Sequence, residues 1–201
     1  MSRVSRQESA RGLTLIELLV VAAVIGLMVA IALPSWATIR RERALRNATS
    51  EIRAVFHLAR SRAIARGANS GLKFSRIDGE WMYAIYDDGD GDGVRNDDIL
   101  KGIDRRFLAP RPVLKSIGLA RIGLPATPIP DPDTKKPMPA TASPIRFGTS
   151  TLCSFSPNGS SSSGSIFLTW GEGSAAMVRV YGPTARIRAL RYRRDLGGWE
   201  K

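Results

Sequence analysis

The chain changes from polar to apolar at residues 11–17, which have the sequence Arg-Gly-Leu-Thr-Leu-Ile-Glu, and the apolar segment then runs to Leu33. One carboxylate, Glu17, lies inside that segment. An acidic side chain at the centre of a bilayer costs roughly 2.5–3.5 kcal/mol on insertion scales, so a single one requires a partner of opposite charge. Cleavage after Gly12 would create a cationic amino group on Leu13, and a neighbouring copy could bring that group to Glu17. We therefore interpret the segment as an assembly device as well as an anchor.

This arrangement resembles the prepilin signature that type IV pilins share with the pseudopilins of type II secretion systems. The resemblance is carried by Gly12, Leu13, Thr14, Leu15, Glu17 and the Pro34 near the end of a long apolar helix. It implies that a prepilin peptidase cuts between Gly12 and Leu13, and that Leu13 is then N-methylated. It also implies that Glu17 pairs with the amino terminus of an adjacent subunit. Family members more often have Phe where this chain has Leu13, and Leu is an accepted variant.

Two other interpretations fit parts of the N-terminal segment. An ordinary secretory signal would use the three leader arginines as its basic flank and residues 30–32, Ala-Ile-Ala, as a small-residue cleavage motif. A plain transmembrane anchor would use residues 13–33, which form a helix about 31 Å long. Neither explains Glu17. We therefore expect a single-pass inner-membrane protein, and the resemblance places its leader in the cytoplasm and its C-terminal head in the periplasm.

Hydrophobic periodicity predicts that the helix continues beyond the membrane segment to Arg66. Between Ile39 and Arg66, apolar residues recur at three- and four-residue steps and form one stripe, and Gly67 suits a helix C-terminus. The stripe consists of Leu45, Ala48, Ile52, Val55, Ala59 and Ala63. The predicted domains are a leader at 1–12, a transmembrane segment at 13–34, an amphipathic stalk at 35–66 and a β-rich periplasmic head at 67–201.

After Gly67 the pattern changes to short alternating strands separated by turn residues. The predicted strands are 71–76, 81–86, 99–107, 145–147, 165–170, 176–181 and 186–192, and residues 151–155 alternate in the same way. Residues 124–144 hold seven of the twelve prolines, which predicts an extended, poorly regular insertion. The predicted fold class is α+β: a long N-terminal helix, first transmembrane and then amphipathic, packed on an all-β antiparallel globular head, as in pilins.

Features of the head resemble the GspH/FimT family. They are a Trp-containing strand, an acidic Gly-Asp hairpin, a Phe-Ser-Pro-Asn-Gly turn at 155–159, and paired strands that end in a Gly-x-x-x-Arg-x-Arg run. The resemblance implies the H pseudopilin of type II secretion or a related minor type IV pilin. Many pilins close a C-terminal loop with a disulfide, which the single cysteine of this chain excludes. We expect Cys153 to be a buried small hydrophobe.

An acidic segment at 87–98 has the spacing of a calcium loop. Loop positions one, three, five, six and nine are occupied, in that order, by Asp88, Asp90, Asp92, Gly93 and Asn96. Position twelve is Ile99 instead of a bidentate Glu, and Asp97 or Asp98 could substitute for it. The alternative is a solvated turn whose Asp and Gly residues suit the backbone angles. The candidate Ca²⁺ ligands are Asp88, Asp90, Asp92, Asn96 and Asp98, and no other cofactor is expected.

The chain is strongly basic, with a net charge of +12. Part of this charge lies on the predicted strand at 186–192 and just beyond it. On a strand, Arg186 and Arg188 share one face, while Arg191 and Arg193 share the opposite face. Tyr181, Tyr192 and Trp199 are interleaved and could stack on nucleic-acid bases. These four arginines are the candidate DNA-binding residues.

Some minor pilins of the family are DNA receptors for natural transformation, with a C-terminal Gly-Arg-x-Arg region as the contact. The motif is imperfect here, because residues 182–185 have the sequence Gly-Pro-Thr-Ala before Arg186. The alternative is a solvated basic surface that docks on acidic subunits or anionic lipid head groups.

An enzyme is not expected from this sequence. The single histidine, His57, falls on the predicted stalk helix, and no Ser/His/Asp or Cys/His arrangement is indicated. The sequence instead predicts a minor pseudopilin or minor pilin, cleaved by prepilin peptidase and assembled with other pseudopilins or pilins. The filament would be a type II secretion pseudopilus or a type IV pilus, acting in protein secretion or pilus biogenesis. The alternative is a DNA-binding minor pilin for natural transformation that uses the basic C-terminal strand.

Overall fold

The first helix, α1, covers Leu15–Arg66 and belongs to two compact units, Met1–Arg40 and Arg41–Lys201. The computed structural model describes residues 14–113, 120–171 and 173–200, without the α1 side chains at 31–35 and 37–38. The leader at 1–12, with the predicted cleavage and methylation positions Gly12 and Leu13, lies outside the described residues.

The predicted transmembrane helix is wrong, because no helix within residues 14–113, 120–171 and 173–200 is long and apolar enough to cross a membrane. The predicted single-pass inner-membrane localisation with a periplasmic head is corrected with it.

The predicted fold class is corrected for the same reason. A long N-terminal helix, transmembrane and then amphipathic, on an all-β head is not what the structure supports. Instead, α1 is divided at Arg40 between a helical first unit and a second unit. In the second unit, the remainder of α1 and a short helix accompany extensive antiparallel β structure.

Within the second unit, α1 buries one apolar face. All six residues of the predicted stripe are buried, as their spacing predicts. Phe56 lies on the same face and is fully buried. Its ring centroid is 6.0 Å from that of Phe74, 5.9 Å from Phe147 and 6.3 Å from Phe155. These distances are typical of favourable tilted or edge-on aromatic pairs, so Phe56 joins the helix to several β segments of the core.

The β structure forms two larger antiparallel sheets and one small hairpin. The first sheet has the order β3-β2-β1-β8, with β1 at Ser70–Ile77, β2 at Glu80–Asp87, β3 at Arg105–Pro112 and β8 at Leu152–Phe155. The second has the order β12-β11-β10-β9-β4, with β4 at Arg121–Ile122, β9 at Gly164–Gly171, β10 at Ser174–Tyr181, β11 at Arg186–Arg193 and β12 at Gly198–Glu200. Strand β7, Ile145–Arg146, also pairs with β9. Strands β5, Ile129–Pro130, and β6, Pro137–Met138, form the hairpin.

The second sheet is covered on both faces within the second unit. One face contributes apolar residues to the cluster that contains the α1 stripe: Ile166, Leu168, Ala176, Val178, Val180 and Ile187. The residues between them point to the other face, where Phe167, Ala175 and Met177 form a second buried cluster. Alternation along each strand therefore places two different cores on the two faces.

The proline-rich insertion at 124–144 supplies the cover of that second face, which its composition did not predict. Leu124, Ile129 and Met138 are buried in the second cluster. The indole N–H of Trp199 donates to the Pro130 carbonyl at 2.8 Å. Proline disrupts any regular periodicity, so only the isolated apolar residues of the insertion carry its packing.

A predicted strand at 99–107 is the other local difference. Its first part belongs to the short helix α2, Asn96–Lys101, and β3 begins only at Arg105. The helix ends at Gly102, whose φ of 76° is the left-handed conformation that glycine adopts most readily. The remaining predicted strands fall on β1, β2, β7, β8, β9, β10 and β11.

Candidate functional site

Glu17 lies in the first turn of α1 and forms a capping box with Thr14. Its Oε2 accepts hydrogen bonds from the Thr14 backbone N–H and from the Thr14 hydroxyl, both at 2.8 Å. The Glu17 N–H donates back to Thr14 Oγ1 at 3.3 Å. The backbone hydrogen bond first, and then the hydroxyl, lower the pKa of this exposed carboxyl. Sequence reasoning missed this local role, although the Thr-x-x-Glu spacing is its signal.

Asp88 organises the acidic loop between β2 and α2. Its Oδ1 accepts hydrogen bonds from the backbone N–H groups of Asp90 and Gly91, and its Oδ2 accepts from Gly93 N–H and from the Asn69 amide. Burial raises the pKa of Asp88, but these hydrogen bonds outweigh it and hold the pKa below its ordinary value. The Asp88 carboxylate therefore holds the conformation of the loop through these hydrogen bonds.

Gly89 and Gly93 illustrate why the loop requires glycine at several of its positions. A Cβ added to Gly89 would lie 2.0 Å from the Ile103 carbonyl oxygen, so only glycine allows that close approach. Gly93 has a φ of 98°, which side chains of L-residues rarely adopt. Both features fit the turn interpretation and the calcium-loop interpretation equally, because each needs the sharp backbone turn.

Of the predicted calcium ligands, Asn96 is directed elsewhere. Its side-chain oxygen accepts a hydrogen bond from Lys73 Nζ, and its amide donates to Ser150 Oγ. Asp104, which sequence reasoning did not select, instead joins the loop. Its carboxylate is buried and accepts from the backbone N–H groups of Gly89 and Arg95. No spacing rule would have found Asp104, because it lies beyond α2 in the chain.

Two overlapping carboxylate triads result. Oxygens of Asp88, Asp90 and Asp104 lie within 4.8 Å of one another, and so do oxygens of Asp90, Asp92 and Asp98. Calcium–oxygen distances of about 2.3–2.6 Å place pairs of ligands within such a separation. The pKa of Asp92 is raised by desolvation, lowered by Arg95 and raised again by Asp90 and Asp98. Repulsion within the second triad is thus present and would be relieved by a cation.

Calcium binding stays a prediction of the sequence pattern, and its stabilising effect can be measured. With a dissociation constant of about 0.1–1 mM, as in extracellular calcium modules, about 10 mM Ca²⁺ should stabilise the fold by about 1.4–2.7 kcal/mol. Denaturant unfolding with and without Ca²⁺ measures this gain. The control is an Asp90→Asn/Asp92→Asn variant, which leaves the structural Asp88 in place and should lose the gain. An equal gain from Mg²⁺, or one retained by the variant, would contradict the prediction.

Asp87, the last residue of β2, connects the start of the acidic loop to α1 within the second unit. It accepts two hydrogen bonds from Arg62, at 2.8 and 2.7 Å, and a further ion pair from Arg66. The Arg62 guanidinium also lies 3.2 Å from the centroid of the Phe107 ring. A buried carboxylate is thus shared by two arginines immediately before the first loop aspartate.

The four candidate DNA-binding arginines do not form one surface. Arg191 pairs with Glu42 of α1, and Arg193 pairs with Asp195 at 2.9 and 2.6 Å. Arg186 and Arg188 lie on the opposite face of β11, and neither has an ion-pair partner among the described residues. The strand alternation predicted that the four arginines divide between two faces. It did not predict the ion pairs of Arg191 and Arg193.

The aromatic residues interleaved with these arginines are also divided. Tyr192 and Trp199 pack on the second buried cluster, with ring centroids 5.7 Å apart. Tyr181 is 57% exposed and lies opposite Arg186 in the register of β10 and β11. Only Tyr181, Arg186 and Arg188 therefore remain for the predicted DNA contact, which stays a prediction.

Cys153 lies in the core, whereas His57 lies on the exposed side of α1. Cys153 is fully buried, as expected, and burial raises the pKa of its thiol. Desolvation first, and then the charges of Arg53 and Arg60, lower the pKa of His57. Both effects favour the neutral imidazole, and no ion pair joins His57 to a carboxylate among the described residues.

No protein-family model matches the chain, and neither a curated protein nor a solved structure matches it significantly. Function therefore has to be argued from the geometry and from the N-terminal motif.

Proposed function

We propose that this chain is a minor pilin-like subunit of a type II secretion pseudopilus or a type IV pilus. Prepilin peptidase cleaves it between Gly12 and Leu13, and Leu13 is then N-methylated. One observation carries the proposal: a helix that begins with a carboxylate in its first turn and then exposes apolar side chains over several turns.

The exposed apolar surface of the first unit requires a cover. Eleven large apolar residues between Leu15 and Val29 are 47–79% exposed: Leu15, Ile16, Leu18, Leu19, Val20, Val21, Val24, Ile25, Leu27, Met28 and Val29. A helix that is apolar on all sides is stable only where other groups surround it. The same helix of neighbouring subunits supplies such a cover in a filament.

Glu17 has two successive partners in this proposal. In the separate subunit it caps α1 through Thr14. In the filament its charge pairs with the methylated amino group of Leu13 on an adjacent subunit, which the resemblance implies. The hydrogen bonds from Thr14 lower the pKa of Glu17, which favours the charged carboxylate that this exchange requires.

The proposal is tested by a Glu17→Gln variant, because glutamine also serves in a capping box. The helix content should be unchanged by circular dichroism, whereas incorporation into sheared filaments should fall by about tenfold or more, since the charge pair is lost. A Thr14→Ala variant is the matched control, because it weakens the cap but keeps the charge. Normal incorporation of the Glu17→Gln subunit would contradict the assembly role.

Processing provides an independent measurement. Mass spectrometry of the protein from its filament fraction should find Leu13 as the first residue, with a methyl group on its amino nitrogen. An N-terminus elsewhere, such as after the small residues at 30–32, would support an ordinary secretory signal instead.

A further inference from the structure

One strand edge of the second sheet is left open. Strand β11 pairs with β10 through residues 186–191, but on its other side β12 pairs only with residues 191–193. Within the part of the chain that the structure describes, no strand pairs with the outer edge of residues 186–189. An edge of this kind presents unpaired N–H and C=O groups that can accept another strand.

One edge of the other large sheet, strand β3, is protected in a different way. Strand β3 carries Pro110 and Pro112, which lack the backbone N–H needed for pairing. Strand β11 has no proline. Its arginines would oppose those of a second copy in edge-to-edge pairing, since like charges directly opposite are destabilising. The charges of β11 therefore oppose pairing with the β11 edge of a second copy, and they favour pairing with an acidic strand.

A groove of about 470 Å³ runs beside this edge, between β11 and α1 of the same unit. Its lining combines the apolar side chains of Leu45 and Ala189 with charged ones, which include Arg53 and the ion pair of Glu42 with Arg191. Arg53 is exposed and has no ion-pair partner among the residues described. Arg186 and Arg188 lie on the other face of β11. A strand added here would meet a mixed apolar and charged groove on one face and two arginines on the other.

We infer that the open edge of β11 binds an extended acidic segment of another protein by β-strand addition. The segment alternates acidic and apolar residues, because successive side chains of a strand point to opposite faces. Its acidic side chains meet Arg186 and Arg188, its apolar side chains enter the groove beside Leu45 and Ala189, and its backbone pairs with residues 186–189. This mode of recognition takes affinity from main-chain hydrogen bonds and specificity from alternate side chains. The inference does not depend on the filament proposal.

The test uses the full chain in mild detergent and a synthetic peptide that alternates Glu and Val. Fluorescence anisotropy should detect binding of this peptide and at least about tenfold weaker binding of a Lys/Val peptide, since like charges oppose each other. A Glu/Val peptide with N-methyl groups on alternate residues, prepared in both registers, separates strand pairing from simple charge attraction. At least one register should abolish binding, because it removes the donors that face β11.

An Arg186→Glu/Arg188→Glu variant should bind the Glu/Val peptide more weakly, by about tenfold or more, because two attractive charge pairs become repulsive. The matched control is Arg111→Glu, an exposed arginine on β3, which should leave binding unchanged. Three results would overturn the inference: full binding of both N-methylated peptides, an equal loss in the Arg111→Glu variant, or tighter binding of a single-stranded DNA of equal charge.

Discussion

Replacement of Phe56 by alanine is expected to lower the free energy of unfolding by about 3–5 kcal/mol, which is the range for large aromatic residues in a core. Phe56 is fully buried, and its ring contacts three other phenylalanine rings in both sequence halves of the second unit. Truncation therefore removes buried apolar area and leaves a cavity that rings held by separate strands cannot all close. Urea unfolding of the full chain in a mild detergent, followed by tryptophan fluorescence, measures the change.

The matched control for Phe56→Ala is Leu58→Ala on the same helix. Leu58 is 47% exposed, so its replacement by alanine should lower the free energy of unfolding by less than about 1 kcal/mol. Similar losses in the two variants would mean that α1 is not packed through Phe56. A large change in the dependence on urea concentration would instead indicate that the variant no longer unfolds in one step.

The features that the sequence predicts well are those with local periodicity. The apolar stripe of α1 repeats every three or four residues, and each of its members is buried. Most strands of the second unit alternate because each face of a sheet meets a different environment. The first unit is the opposite case. Its apolar run suggested a membrane span, which the helices of the described residues do not support.

The features that the sequence does not predict depend on contacts between distant segments. Trp199 was interpreted as a stacking surface for nucleic acid, whereas its indole is held by Pro130 in the proline-rich insertion. Asn96 fits a calcium-loop position, yet Lys73 from β1 takes its side-chain oxygen. Asp104 occupies the loop from the far side of α2. In each case the deciding partner lies many residues away, so spacing along the chain carries no information about it.

The ion pairs of Asp87 with Arg62 and Arg66 also join distant segments of the chain. Replacing Asp87 is therefore expected to lower the stability of the fold strongly. An Asp87→Asn variant should lose about 2–3 kcal/mol of stability, somewhat below the value for fully buried ion pairs because Arg66 is partly exposed. Asparagine has one acceptor oxygen instead of two, so one of the two hydrogen bonds from Arg62 is lost. It also leaves the Arg62 guanidinium against Phe107 without its counter-charge. The same denaturant experiment measures the loss.

Asp133→Asn is the matched control for the Asp87 variant. Asp133 makes an equally close bidentate contact with Arg179, at 2.7 and 2.6 Å, but its side chain is 65% exposed. Exposed ion pairs contribute about 0–1 kcal/mol, so this variant should be nearly neutral. If both variants cost the same, burial would not be the source of the Asp87 effect. If only Asp87→Asn is destabilising, the ion pair that joins α1 to the start of the acidic loop contributes strongly to the stability of the second unit. Calcium binding by the acidic loop should then also weaken in this variant.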